Sequence, residues 1–227
     1  MKPRASKLIV YGNVVGLLLL LANLAGGTSW LTTERSVTKI ADGVYVIIHK
    51  DAVLEDWPEG NTIVIIGDRG VFVVDACFLT ASAKEDIAEI RRLIPKPVRY
   101  LLNTHFHIDH NAGNGAYMEA FPDFEIVAHT ETRRLMTASN PRVAAYFADS
   151  SGGLAKDIGD LKKSLASGKG EDGKPLSAED KSKLPQQIAE RERQMDDYKK
   201  FKYQAPTLLF DHDLVLDLGN REGRSSI

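Results

Sequence analysis

Asn103-Thr104-His105-Phe106-His107-Ile108-Asp109-His110 is the stretch on which the reading of this 227-residue chain turns. Three histidines and one aspartate fall within six residues, directly after the apolar run Val98 to Leu102. Neutral imidazole is a good zinc ligand and carboxylate an acceptable one. On an extended segment His105 and His107 point the same way, so both reach one ion. A turn after Ile108 brings Asp109 and His110 to an adjacent second position. Two close metals share a hydroxide and stabilise the oxygens of a displacement at carbonyl or phosphorus. Isolated histidines are usually surface or hydrogen-bonded core residues, and His49 and His212 are read that way. His129, at the end of a strand, stands open between lining the site and a structural place.

Working outward, Val44 to Ile48, Asn61 to Ile66 and Val71 to Asp75 read as strands, with a loop over Asp51 to Gly60. Gly67-Asp68-Arg69-Gly70 joins the last two as a hairpin, and both runs are apolar enough to be covered on both faces. Ser82 and Glu85 have capping-box spacing ahead of Ile87, Ile90 and Ile94, which share a helical face. Pro95 and Pro97 end that helix. Glu125 to Ala128 predicts another strand, followed by a short helix from about Thr130 to Met136. Thr207 to Phe210 and Leu214 to Leu218 predict two further strands, with Gly219-Asn220 as a turn. Between Met136 and Thr207, residues 150–203 are rich in charge and glycine and read as a helical insertion. Ser177 with Asp180 caps a helix there, and Pro185 starts or kinks it. That segment reads as a solvated helix packing one face on the domain. The functional alternative is a lid, or a partner surface on Ala178 to Tyr203.

The length allows one ordinary core. Apolar residues make up 43% and charged residues 26%, and the formal charge of −2 gives no reason to expect a nucleic-acid partner. Cys77 is the only cysteine, so no intramolecular disulfide forms. Lys2, Arg4 and Lys7 precede an apolar stretch that closes on Ala25-Gly26-Gly27. This pattern predicts a signal peptide over residues 1–27 and a periplasmic or secreted protein, with no stable membrane association once it is cleaved. The alternative is a membrane anchor through residues 8–25.

His105-Phe106-His107-Ile108-Asp109-His110 resembles the HxHxDH motif of the metallo-β-lactamase superfamily. The hairpin from Gly60-Asn61 to Asp75, the Ser82 to Ile94 helix and Asn111-Ala112-Gly113-Asn114 are similar to that family's N-terminal half. The resemblance implies an α/β (α+β) fold, the αββα sandwich, with residues 28–227 as its N-terminal part. It implies zinc, two ions in the complete site: His105 and His107 at the first, Asp109 and His110 at the second. Asp109 also takes the catalytic role of orienting the attacking water or accepting its proton. The implied reaction is hydrolysis of a small-molecule substrate, a metal-bound hydroxide attacking an ester, thioester or amide-type bond. The family's later ligands, a Gly-His-Thr turn, a bridging aspartate and a final histidine, have no counterpart after His110. The expectation is therefore a sandwich truncated after its first half, with the helical insertion. A catalytically silent fragment or metal-binding module is the competing reading.

Overall fold

The computed structural model describes residues 35–49 and 59–225. A seven-stranded mixed sheet, its strands in sequence order, organises them. β1 (Arg35–Ala41), β2 (Val44–His49), β3 (Thr62–Ile66) and β4 (Val71–Val74) form an antiparallel meander. From β4 the sheet turns parallel through β5 (Val98–Leu102), β6 (Glu125–His129) and β7 (Leu208–Phe210). Parallel neighbours need crossovers. Helix α1 (Thr80–Leu93) supplies the first and α2 (Asn114–Ala120) the second. The third carries α3 (Thr130–Ala148), α4 (Gly153–Ser167) and α5 (Ala178–Lys199). β8 (Leu214–Asp217) and β9 (Glu222–Ser225) make a separate antiparallel hairpin.

Side chains alternate across a strand, and here both sets are apolar. Val64, Val71, Val73, Leu101 and Ile126 pack with Ala83, Ile87 and Ile90 of α1 and Ala116 and Tyr117 of α2. Ile65, Phe72, Val74, Tyr100, Leu102 and Val127 lie in a second core with Leu214, Leu216 and Leu218. Each fully buried Val, Leu, Ile or Phe among them is worth about 1.5–3 kcal/mol. The β3–β4 runs are thus covered on both faces, as their composition predicts. The chain has a mixed α/β sheet with helices.

Several local expectations need correction. β1 has no counterpart in the reading above, because an edge strand with exposed positions from Thr38 onward lacks an apolar run. The Ser82–Glu85 capping box does not form. The helix begins at Thr80, so Ser82 is already inside it and fully buried. Asp197 of α5 does the capping instead, its Oδ2 accepting from the backbone N–H of Thr80 at 2.8 Å. Glu59 Oε1 accepts from the backbone N–H of Phe78 at 2.7 Å and of Leu79 at 3.2 Å just ahead of the helix. Glu59 Oε2 accepts from Ser82 Oγ at 3.2 Å, while Glu85 pairs with Arg35 at 3.0 Å. Helix α3 runs on to Ala148 through Pro141, because Met136, Asn140, Ala144 and Phe147 form one buried stripe. A polar Asn140 in mid-stripe hides that continuity from a pattern of apolar residues.

In α5 the Ser177 Oγ accepts from the Asp180 N–H at 3.0 Å, as its spacing predicts. Pro185 lies inside the helix, which starts at Ala178. Phe147 of α3, Leu154 of α4 and Tyr198 of α5 share a core with Phe78, Leu79 and Ile108, so these helices bear on the histidine stretch. The expected signal peptide (residues 1–27), the alternative anchor (8–25) and most of the Asp51 to Gly60 loop lie outside the described residues. Among the described residues no helix is long and apolar enough to cross a membrane.

Candidate metal centre

Open α/β sheets present ligands beyond the carboxyl ends of their parallel strands. The histidine stretch leaves the carboxyl end of β5, beside the end of β4, and Ile108–His110 coils into a single 3₁₀ turn. Two backbone bonds join the strand ends to it: Ala76 N–H to His110 O and Gly113 N–H to Ala76 O, both 2.8 Å. Asp75 and Cys77, flanking Ala76, have φ of 62° and 61°. Non-glycine residues rarely adopt this region, and such strain clusters at functional sites. Approach here is close. A Cβ on Gly60 would lie 2.7 Å from Asp109 O and 3.1 Å from His110 Nδ1.

Asp75 is the residue that arranges the cluster, and sequence reasoning treated it only as a strand end. Its Oδ2 accepts from His110 Nδ1 at 2.8 Å. Its carboxylate also accepts from the Thr104 N–H at 2.9 Å and the Thr104 hydroxyl at 2.9 Å. That hydroxyl has one proton, spent on Asp75. Its 3.0 Å contact with His105 Nδ1 therefore has the imidazole donating, which leaves the Nε2 lone pair of His105 for a metal. The signal available in sequence was an aspartate ending a buried strand beside the motif strand.

Of the four predicted ligands, His105 lies with its ring centroid 4.2 Å from that of His110 and 4.9 Å from that of His107. His110 Nε2 stands 3.1 Å from Asp109 Oδ2. Two ligands of one tetrahedral zinc stand roughly 3.3 Å apart, given bonds of about 2.0–2.2 Å. That separation suits a shared cation as well as a shared proton. Burial alone would lower His110, but its bonds to Asp109 and Asp75 outweigh it and push the pKa up to about 9. Burial would raise Asp109, yet the bond to His110 holds it below the usual carboxylate range. Burial and the neighbouring His110 and His107 hold His105 down, which favours the neutral, ligating form. Among the described residues, His105 Nε2 and both nitrogens of His107 take no hydrogen bond.

A second cluster lies in the core. His49, Cys77 and Asp86 place one donor atom each within 4.8 Å of one another, which the described motif residues do not do in threes. Asp86 is fully buried, and both its oxygens are filled. Oδ1 accepts from Arg35 at 2.7 Å and His49 Nε2 at 3.0 Å. Oδ2 accepts from Thr62 Oγ1 at 2.7 Å and Cys77 Sγ at 3.2 Å. His49 Nδ1 bonds to Gly60 O at 2.8 Å, so its ring is satisfied as the sequence reading expected of a core histidine. Burial and the Asp86 charge push the Cys77 thiol well up, away from the thiolate a metal needs.

The remaining histidines lie elsewhere. His129 caps α3, its Nδ1 accepting from the Glu131 N–H at 3.2 Å and its Nε2 3.2 Å from Asp211 O. His212 is exposed in the turn before β8.

The family model of the metallo-beta-lactamase superfamily matches residues 56–180. The chain is 31% identical over 97 residues to the alkyl/aryl-sulfatase BDS1 of Saccharomyces cerevisiae, an alignment covering 40% of this chain and 14% of that protein. Among solved structures it is similar to a metallo beta lactamase from Hirschia baltica, 23% identical, TM-score 0.41, covering 48% of this chain and 49% of that one. A metallo-beta-lactamase from Pontibacter korlensis is 19% identical, TM-score 0.42, with 47% and 49% covered. The chain thus spans about half the length of these structures and a smaller share of the sulfatase. The family match takes in more than half of the 227 residues, including α1, the Asp75 turn and the whole histidine stretch: the chain belongs to the metallo-beta-lactamase superfamily.

Proposed function

We propose that the protein is a zinc-dependent hydrolase acting on an ester, thioester or amide-type bond of a small molecule. The observation that carries this reading is the open end of β5, where His105 Nε2 and both ring nitrogens of His107 take no hydrogen bond among the described residues, beside an ionised Asp109. His105 and His107 would hold the first zinc, with Asp109 and His110 holding a second. Zinc, when bound, supplies Lewis acidity that makes a water nucleophilic near neutral pH. Asp109 orients that water or takes its proton, held in place by His110. Asp75 keeps His110 and, through Thr104, His105 in ligating orientation. The sulfatase likeness adds a sulfate ester to the substrates worth assaying. The predicted signal peptide supports an exported location, tested by N-terminal sequencing of the mature protein.

A metal-binding module without turnover is the second reading. Its support is that the first position draws two histidines from the described residues, where a catalytic zinc takes three protein ligands. One experiment separates the two. Purified protein is analysed for zinc, then assayed on ester, thioester, lactam and sulfate-ester probes with and without chelator. Zinc-dependent turnover abolished by His107→Ala supports the hydrolase. Bound zinc without turnover supports the module, and no bound zinc contradicts both.

A further inference from the structure

We propose that Asn140, in the middle of α3, is a positioning residue for the first metal position, acting through Asn111 on the backbone of His107 and His105. This rests on the metal reading above. Asn140 and Asn111 are 1% and 4% exposed, so each amide needs partners within the protein. Asn140 Oδ1 accepts from Ser139 Oγ at 2.9 Å, and its Nδ2 donates to Asn111 Oδ1 at 2.6 Å. The His107 carbonyl can only accept, so the end of the Asn111 amide facing it is nitrogen and the oxygen end faces Asn140. Asn111 Nδ2 then donates to His107 O at 2.6 Å, with His105 O at 3.5 Å.

Polarity thus runs in one direction from α3 to the carbonyl of a metal ligand. It matters there because His107 is exposed and its ring takes no hydrogen bond among the described residues, so its backbone sets its direction. The same helices seat the next residue, Ile108, against Ala144, Phe147 and Leu154. A simple packing role for Asn140 predicts something different from a positioning role. Asn111→Asp keeps an acceptor for Asn140 but sets an oxygen against His107 O. The added negative charge by itself favours a cation, so a loss of affinity against that trend is the mark of positioning.

The test is Co²⁺ titration, followed by visible d–d absorption, of the unmodified chain, Asn111→Asp, Asn140→Ala and Leu154→Ala, with melting temperatures alongside. Outer-sphere partners of metal ligands are worth about 10–100-fold in affinity. Asn111→Asp is expected to lose affinity across that range and Asn140→Ala at its lower end. Leu154→Ala, which loosens the same packing without touching the amides, lowers the melting temperature and keeps the affinity. Asn111→Asp binding within about twofold of the unmodified chain, or Leu154→Ala losing as much as Asn140→Ala, overturns the positioning role alone. No Co²⁺ binding by the unmodified chain overturns it together with the metal reading.

Discussion

Two clusters of ligand-type side chains lie on either side of the Asp75–Cys77 turn, and they differ in saturation. In the core, His49, Cys77 and Asp86 are close, but Asp86 already accepts four hydrogen bonds and carries Arg35 as its counter-ion. At the end of β5, the histidines are less tightly grouped and retain nitrogens without partners among the described residues. Proximity of His, Cys and Asp is therefore a poor guide to a metal. A closed, satisfied network anchors; an open one with lone pairs facing outward binds. The two are coupled through the chain, since Cys77 bonds to Asp86 while Asp75, two residues earlier, holds His110.

The comparison breaks most visibly at Asp86. Asp86→Ala leaves the buried His49 without its carboxylate and Arg35 with Glu85 alone, and breaking such a buried pair costs about 3–5 kcal/mol, read as a loss of unfolding free energy in urea. A variant with unchanged stability would remove the anchor role. Gly60→Ala is next. Its new Cβ would crowd Asp109 O and the His110 ring, and overpacking of this kind costs about 1–3 kcal/mol. Metal affinity should fall with it, since the displaced groups are the proposed ligands. A melting curve and a metal titration matching the unmodified chain would refute this.

A pH comparison sharpens the anchor. Burial opposes the His49 charge, yet the bond to Asp86 and its charge raise the pKa above 6.5. A folded-state pKa above the unfolded one means the folded chain binds that proton more tightly. The His49 contribution is then full below the ordinary value of 6.5 and fades as pH rises through the raised one. The stability difference between the unmodified chain and His49→Gln should accordingly shrink as pH rises from below 6.5 through the raised pKa. A difference that grows instead contradicts the pairing. The smallest effect on stability falls on the other cluster. His107 is exposed, and His107→Ala should change unfolding free energy by no more than about 0.5 kcal/mol while removing metal binding.

Short-range features of this molecule were legible in sequence. The β3–β4 runs, the isoleucine face of α1, β5 and the His105–His110 stretch each declare themselves over a few residues. What escaped depends on distant partners. Asp86 carries no local signal on its amphipathic helix, and its role exists only because Arg35, His49 and Thr62 arrive from three strands. Asp197 replaced the local Ser82–Glu85 cap from a helix 117 residues further along the chain. Asp75 differed from a strand terminus only through its bonds to Thr104 and His110. Asn140 interrupted the stripe that would have extended α3, for the same reason that it reaches Asn111.

The central claim is that the metal sits at the β5 end and not in the core, and the Co²⁺ spectrum of the loaded chain tests it most directly. Nitrogen and oxygen ligation gives visible d–d bands without the near-ultraviolet charge-transfer band that a thiolate ligand adds. The predicted result is that spectrum, unchanged in Cys77→Ser and absent in His107→Ala. A charge-transfer band that disappears in Cys77→Ser and survives in His107→Ala would contradict the account.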